Sequence, residues 1–346
     1  MFITSATPII SEVNNMRDNP TSTEIDFEQD GIQHGFLKVP YSSNASAWGS
    51  VMIPICQLKN GNGPTALFTG GNHGDEYEGP TALFDLANRH QVDDIQGRVI
   101  IIPAMNYPAF LSQDRVSPID DINLNRSFPG KADGTVTQII ADYFSRTLVP
   151  MADLVLDIHS GGKTLDCLPF IAYHVLDNKH QESQCEAAAK AFGAPYLLKM
   201  VELDAGSMYD TQVEAMGKIF VTTELGGGGS STPYTVEIAK RGVRNLLIHA
   251  GIMKGQVTPN PSPVVSLDMP DGRSFLCCYH HGLLEPCVDL GEQVKAGDLV
   301  AKIHNIDRTG SQPECYYAKR DGMVIIKHAP CIINIGDNLL VIAEVI

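Results

Sequence analysis

Basic side chains are in the minority in this sequence, and no long basic run occurs. The 346 residues carry 25 Lys and Arg against 40 Asp and Glu, which leaves a formal net charge of −15. A protein that binds nucleic acid needs a basic face. The composition therefore argues against a nucleic-acid partner.

Long apolar runs are also missing. No stretch approaches the roughly 18 unbroken apolar residues of a membrane span. The first residues, MFITSATPIISEVNNMRD, lack the basic segment followed by an apolar one that marks a secretory signal. We therefore expect no membrane partner and a cytoplasmic location.

Paired cysteines of the C-x-x-C type are absent, although the chain has eight cysteines. A zinc knuckle built from cysteines is therefore unsupported. In a reducing compartment we expect these side chains to act as small buried hydrophobes. A phosphate-binding G-K-[ST] loop is missing as well, which argues against nucleotide binding through the glycine runs.

Composition shifts along the chain predict its organisation. Residues 1–24 are polar and read as an N-terminal arm. We place the main domain, a candidate catalytic domain, at 25–256, beginning with a small antiparallel β unit at 25–60. The proline-rich segment 257–265 reads as a linker, and the turn-rich residues 266–346 read as a C-terminal all-β domain that resembles a barrel-sandwich.

Apolar strands alternate with helices in the central region. The runs TALFTGG, RVIIIPAMN, ADLVLDIHSG and KIFVTTELGG are short and β-branched, and amphipathic stretches separate them. Gly193 is placed to end the helix that contains SQCEAAAKAF. This alternation predicts an α/β fold, with a mostly parallel mixed sheet flanked by helices on both faces.

The H-x-x-E spacing of His73 and Glu76 comes directly after one predicted strand. Imidazole nitrogen and carboxylate oxygen are both zinc ligands, and a catalytic zinc usually has three protein ligands. The pair alone is a weak signal. The alternative is a polar loop whose carboxylate complements the dipole of the following helix.

His159 ends a second predicted strand, LVLDIH, and adds a third ligand of the right type. Asp157 lies two residues earlier and points to the same side of the strand. Two interpretations of Asp157 stay open: a carboxylate that orients a metal-bound histidine, or a plain strand-end aspartate.

Glu224 follows a third strand and precedes four glycines. The glycines would let a substrate or a neighbouring loop come close. His73, Glu76, His159 and Glu224 thus all follow strand carboxyl ends, where open parallel sheets place their ligand sites. Four such groups at one edge are a stronger indication than any one motif.

Arg115, Asn125 and Arg126 supply candidate groups for an anionic substrate. A guanidinium binds a carboxylate through two parallel hydrogen bonds and can also stabilise an oxyanion. The alternative is surface pairing with Asp120 or Asp121.

Taken together, GGNHGDE, NLNRSFPG, LDIHSGG and TTELGG resemble the aspartoacylase and succinylglutamate desuccinylase family of zinc carboxypeptidase-like hydrolases. The resemblance implies one Zn²⁺ per chain, bound by His73, Glu76 and His159. It implies Glu224 as the general base and Arg115 as the group that polarises the carbonyl. Asn125 and Arg126 become the clamp for the substrate carboxylate.

Longer phrases, including GGNHGDEYEGP, HSGGKTLD and TTELGGGGSST, resemble a group within this family, the deacetylases of ectoine breakdown. That resemblance implies N-α-acetyl-L-2,4-diaminobutyrate as the substrate, with acetate and L-2,4-diaminobutyrate as products. The side-chain amine of such a substrate would need an acidic partner, for which Glu202, Asp204 and Asp210 are candidates. We also expect a homo-oligomer.

Two other functions stay open at this point. A deacylase of the acetylaspartate or succinylglutamate type would act on substrates with extra carboxylates and would need additional cationic groups in its pocket. A non-catalytic binding protein on the same fold would show no turnover with zinc present.

Overall fold

The computed structural model describes residues 17–89, 91–202 and 206–346. Most of the predicted N-terminal arm therefore lies outside the described residues. In the described part, the strands are β1 Ser22–Thr23, β2 Gly31–Pro40, β3 Ser50–Asn60, β4 Thr65–Gly70, β5 Gly97–Ile102, β6 Leu154–His159, β7 Leu165–Cys167, β8 Phe170–His174, β9 Tyr196–Met200, β10 Ile219–Glu224, β11 Val265–Met269, β12 Phe275–Cys277, β13 Gly282–Pro286, β14 Gln293–Val294, β15 Leu299–His304, β16 Glu314–Tyr317, β17 Gly322–His328, β18 Ile332–Ile333 and β19 Asn338–Val345.

The helices lie mainly between the strands of the central region. They are α1 Glu78–Arg89, α2 Tyr107–Ser112, α3 Val136–Tyr143, α4 Val149–Met151, α5 Lys179–Phe192, α6 Tyr209–Ala215 and α7 Pro233–His249, with a π-helical turn, Phe144–Leu148, joining α3 to α4. Gly193 ends α5 in the left-handed conformation, with φ of 78°, as the sequence predicts. No helix in these ranges is long and apolar enough to cross a membrane.

One large mixed sheet organises the molecule, which confirms the α/β prediction. Its main path runs β1-β2-β3-β5-β4-β6-β10-β8-β9-β11-β19-β17-β14. Parallel pairing is confined to β5-β4-β6-β10 and to β8-β9-β11, and β8 runs antiparallel to β10. The sheet is therefore less parallel than the strand–helix alternation suggests, because antiparallel strands extend it on both sides.

Helices cover both faces of the parallel part, and alternation along each strand separates two cores. On β6, Leu154, Leu156 and Ile158 pack with α1, α5 and α7. Val155 faces the opposite core, which contains α3 and Tyr209 of α6. Since side chains alternate between faces, Asp157 and His159 lie on the Val155 side.

The sheet continues across the predicted linker. Strand β11 begins at Val265 and pairs in parallel with β9 and antiparallel with β19, so the C-terminal strands extend the central sheet. A second sheet, β16-β15-β13-β18, lies within the C-terminal region. The likeness of residues 266–346 to a barrel-sandwich stays a prediction.

The prediction of buried cysteines is wrong for part of the set. Cys315 and Cys331 are exposed, and Cys277 and Cys287 are half-buried. On β16 only Tyr316 is buried, and Cys331 lies in the connection between β17 and β18. A small apolar residue in this region is therefore not automatically internal.

Candidate active site

The candidate site lies at the carboxyl ends of three neighbouring strands. His73 and Glu76 follow β4, His159 ends β6, and Glu224 ends β10. The parallel register places Glu224 beside His159. The strand-end argument from the sequence therefore holds in three dimensions, because β4, β6 and β10 run in the same direction.

His73, Glu76 and His159 converge on a buried point. Nδ1 of His73 lies 2.7 Å from Oε1 of Glu76, and Nδ1 of His159 lies 2.9 Å from Oε2. Each of the three residues is at least nine-tenths buried. The two imidazole rings are 5.0 Å apart between centroids. One atom from each residue can thus face a common centre.

Asp157 orients the ring of His159. Its Oδ2 lies 2.8 Å from Nε2 of His159, and Asn72 and Thr69 donate hydrogen bonds to the same carboxylate. Of the two interpretations left open by the sequence, this arrangement favours the orienting carboxylate, since a carboxylate on the far ring nitrogen fixes the tautomer of a ligating histidine.

Asp157→Asn is expected to weaken metal binding roughly 10–100-fold while the fold is retained, because the amide no longer holds the ring of His159 as an ionic acceptor does. Competition with a zinc chelator measures the change. An affinity equal to that of the unaltered protein would show that Asp157 has no influence on the site.

The loop that carries His73 is held tightly against its neighbours. A Cβ atom at Gly74 would lie 2.0 Å from the backbone of Ala109, so only glycine fits there. The amide of Gly74 also donates to the carbonyl of Asp114. This close approach fixes the turn between β4 and α1, and with it the positions of both His73 and Glu76.

The donor set fits a divalent metal. One ligand atom from each of His73, Glu76 and His159 lies within 4.8 Å of the other two. Nε2 of His73 is buried without a hydrogen-bond partner among the described residues. Two imidazoles with one carboxylate, leaving one position open, is a ligand set typical of catalytic zinc. The chemistry of the residues thus agrees with the predicted metal site.

Two carboxylates give the site a negative electrostatic potential. Burial by itself would lower the pKa of His159, but Asp157 and Glu76 hold it well above its usual value. For the same electrostatic reason, a cation is stabilised at this point.

Glu224 lines a cavity of about 210 Å³, and His73 and His159 line the same cavity. Burial, reinforced by the charge of Glu76, raises the pKa of Glu224 to about 8. A cation beside it would lower that pKa, because positive charge favours the carboxylate form. The pKa of Glu224 therefore depends on whether the neighbouring residues bind a cation.

The glycines after Glu224 allow close contacts with a neighbouring loop. The carbonyl of Gly226 accepts from the amides of Gly161 and Cys167, and a Cβ at Gly227 would lie 2.0 Å from the carbonyl oxygen of Leu165. Of the two possibilities from the sequence, the close approach of another loop is the one observed here.

Arg115, Asn125 and Arg126 line the same cavity. Nη1 of Arg115 is 3.7 Å from Oε1 of Glu76, whereas Asp120 accepts hydrogen bonds from Thr137 at the start of α3. Oδ1 of Asn125 accepts from the amide of Tyr209, which fixes the side-chain amide at the cavity wall. The surface pairing of Arg115 with Asp120 is therefore not what the structure contains.

Glu202 and Asp210 line the cavity too, while Asp204 lies outside the described residues. They stand close to His174, which no sequence motif indicated. His174 ends the apolar strand FIAYH, and a histidine that ends a buried strand is the same signal that singled out His159.

Fold and site together define the class: an α/β protein with a candidate metal centre at the carboxyl ends of a mixed sheet. A sequence profile of the succinylglutamate desuccinylase/aspartoacylase catalytic domain matches residues 62–250. The chain belongs to this family.

Relatives within the family are similar over nearly their whole length. The N-alpha-acetyl-L-2,4-diaminobutyric acid deacetylase of Halomonas elongata is 54% identical over 330 residues, which is 95% of this chain and 96% of that protein. The product-bound structure of the ectoine utilization protein EutE (DoeB) from Ruegeria pomeroyi is 55% identical, with a TM-score of 0.92, over 95% of this chain and all (100%) of that one. A succinylglutamate desuccinylase structure from Silicibacter sp. is 56% identical, with a TM-score of 0.92, over 96% and 100%.

Proposed function

We propose that the protein is a zinc-dependent amide hydrolase that removes the acetyl group from N-α-acetyl-L-2,4-diaminobutyrate. The observation that carries this proposal is the convergence of His73, Glu76 and His159 beside the cavity that His73, His159 and Glu224 line. The 54% identity to a deacetylase of this substrate supports the choice of acyl amino acid.

His73, Glu76 and His159 would hold the metal, one ion per chain. When bound there, zinc would supply Lewis-acid polarisation of the amide carbonyl and would lower the pKa of water. Asp157 keeps the ring of His159 in the orientation that binding requires.

Glu224 moves the proton. Its carboxylate takes a proton from the attacking water and delivers it to the nitrogen of the leaving amine, so one group serves as base and then as acid. Burial raises the pKa of Glu224, and a cation held by His73, Glu76 and His159 would lower it again, which would leave the carboxylate ionised and able to accept the proton.

The two arginines have different roles. Arg126, with Asn125, binds the α-carboxylate and so positions the amide. Arg115, whose side chain is 46% exposed toward the cavity and solvent, donates to the oxyanion that forms as the carbonyl is attacked.

Arg126→Ala is expected chiefly to raise KM, since its contact exists before the transition state, and Arg115→Ala chiefly to lower kcat, since its partner charge develops later. Steady-state kinetics on the two variants measures both constants. The reverse pattern, with KM raised only by Arg115→Ala and kcat lowered only by Arg126→Ala, would exchange the two roles.

A panel of acylated amino acids tests the choice of substrate. Acetate release should be fastest from the diaminobutyrate compound and much slower from acetylaspartate, and succinate release from succinylglutamate should be equally slow. A preference for acetylaspartate or succinylglutamate would support the assignment as a hydrolase but would show that its substrate is a different one. No turnover with any compound by the zinc-loaded protein would favour the non-catalytic binding protein.

A further inference from the structure

The cavity extends away from the candidate metal centre along one face of the sheet. On β8, Phe170, Ala172 and His174 line it at alternate positions, and on β10 Glu224, Thr222 and Phe220 do the same. The two strands are antiparallel, with Phe170 opposite Glu224. His174 therefore lies four residues along β8, away from the end that carries Glu224.

Much of the lining between these two ends is apolar. It comes from the four strands β8, β9, β10 and β11, which present Phe170, Leu198, Met200, Phe220 and Met269 to the cavity. Such a surface fits the methylene groups of a substrate side chain.

Two carboxylates stand at the far end. One ligand atom from each of His174, Glu202 and Asp210 lies within 4.8 Å of the other two, so they can surround a single small cation. Nε2 of His174 is 3.7 Å from Oε2 of Glu202, and Nδ1 is 2.9 Å from Oε1 of Glu214. Despite burial, Glu214 and its acidic neighbours raise the pKa of His174 to about 9.

Asp210 directs an open acceptor into the cavity. The residue is 6% exposed, and Oδ1 accepts from the amide and hydroxyl of Thr211. Oδ2 makes no hydrogen bond or ion pair with any residue in the described ranges. Because Asp210 lines the cavity, this oxygen can accept a hydrogen bond from a ligand bound there.

We propose that Glu202 and Asp210 form the subsite for a protonated amine at the end of the substrate side chain, with His174 as a positioning residue that holds Glu202. The subsite selects N-acyl amino acids with a cationic side chain and rejects those with a neutral or acidic one. This inference rests on the proposed deacylation for its substrate, and it names the residues that choose among acyl amino acids.

The test compares two substrates of nearly equal shape on the full-length, zinc-loaded protein. N-α-acetyl-L-norvaline replaces the terminal ammonium of N-α-acetyl-L-2,4-diaminobutyrate by a methyl group. Asp210→Asn should lower kcat/KM for the diaminobutyrate compound by at least about 30-fold and change that for the norvaline compound only a few-fold. Glu202→Gln should act in the same direction.

Asp268→Asn is the matched control. Asp268 lies on β11 beside Met269, but strand alternation turns it to the other face of the sheet. This variant should leave both values of kcat/KM unchanged. Equal losses with both substrates in Asp210→Asn would instead assign Asp210 a structural role and overturn the subsite.

Calorimetric titration with L-2,4-diaminobutyrate and with L-norvaline provides a readout independent of turnover. The unaltered protein should bind the diamine at least about 30-fold more tightly, and Asp210→Asn should abolish that preference. No preference in the unaltered protein would overturn the subsite even if deacylation is observed. A preference that depends on Asp210, without turnover of any substrate, would retain the subsite and refute the proposed deacylation. A second zinc ion per chain that Asp210→Asn removes would make the cluster a metal site.

Discussion

Glu224→Gln is expected to reduce kcat by roughly 10²–10⁴-fold, the typical contribution of general acid–base catalysis. Glutamine preserves the size of the side chain at the cavity wall but cannot accept a proton. Because Glu224 is not one of the three converging residues, zinc content and Tm should stay near those of the unaltered protein. Acetate release, zinc analysis and thermal unfolding on one preparation measure all three quantities.

Glu237→Gln, on the exposed side of α7, is the control for the same chemical change. It should leave the rate unaltered. A Glu224→Gln protein that is folded, fully metallated and close to full activity would exclude Glu224 as the base, and Asp157 would be the next carboxylate to examine.

His159→Ala is expected to remove both zinc and activity. The substitution deletes one of three ligands and the partner of Asp157, so it leaves the Asp157 carboxylate buried without its histidine. The unaltered protein should contain about one zinc per chain. Metal analysis after dialysis against a weak chelator gives the zinc content, and the acetate assay gives the loss of rate.

His34→Ala, at an exposed position of β2, is the matched histidine control and should retain full zinc content. His73→Ala should behave like His159→Ala, because both rings contact the same carboxylate. Zinc retained at the level of the unaltered protein in both ligand variants would refute the metal assignment.

The site could be predicted from the sequence because its signals are local. His159 and Glu224 are the last residues of apolar strands, and His73 lies shortly after another. Parallel strands bring their carboxyl ends to one edge. The hydrogen bonds of Asp157 and the loop contacts of Gly227 could not be predicted from the sequence, because each depends on a partner distant in the chain.

Features that depend on contacts between distant parts of the chain could not be predicted from the sequence. The prolines at 257–265 are typical of a linker, yet β11 adds directly to β9, and no local pattern specifies that partner. His174 belongs to no motif, and its carboxylate neighbours come from a segment after β9 and from α6. Only the folded chain places them in the cavity that Glu224 also lines.

Acetate release from N-α-acetyl-L-2,4-diaminobutyrate by the zinc-loaded protein tests the central claim most directly. We expect kcat/KM in the range of ordinary enzymes, about 10⁴ M⁻¹s⁻¹ or higher, and loss of that activity on removal of zinc with recovery when zinc is restored. Turnover that is unaffected by complete removal of metal, or no acetate release at full zinc occupancy, would contradict the account.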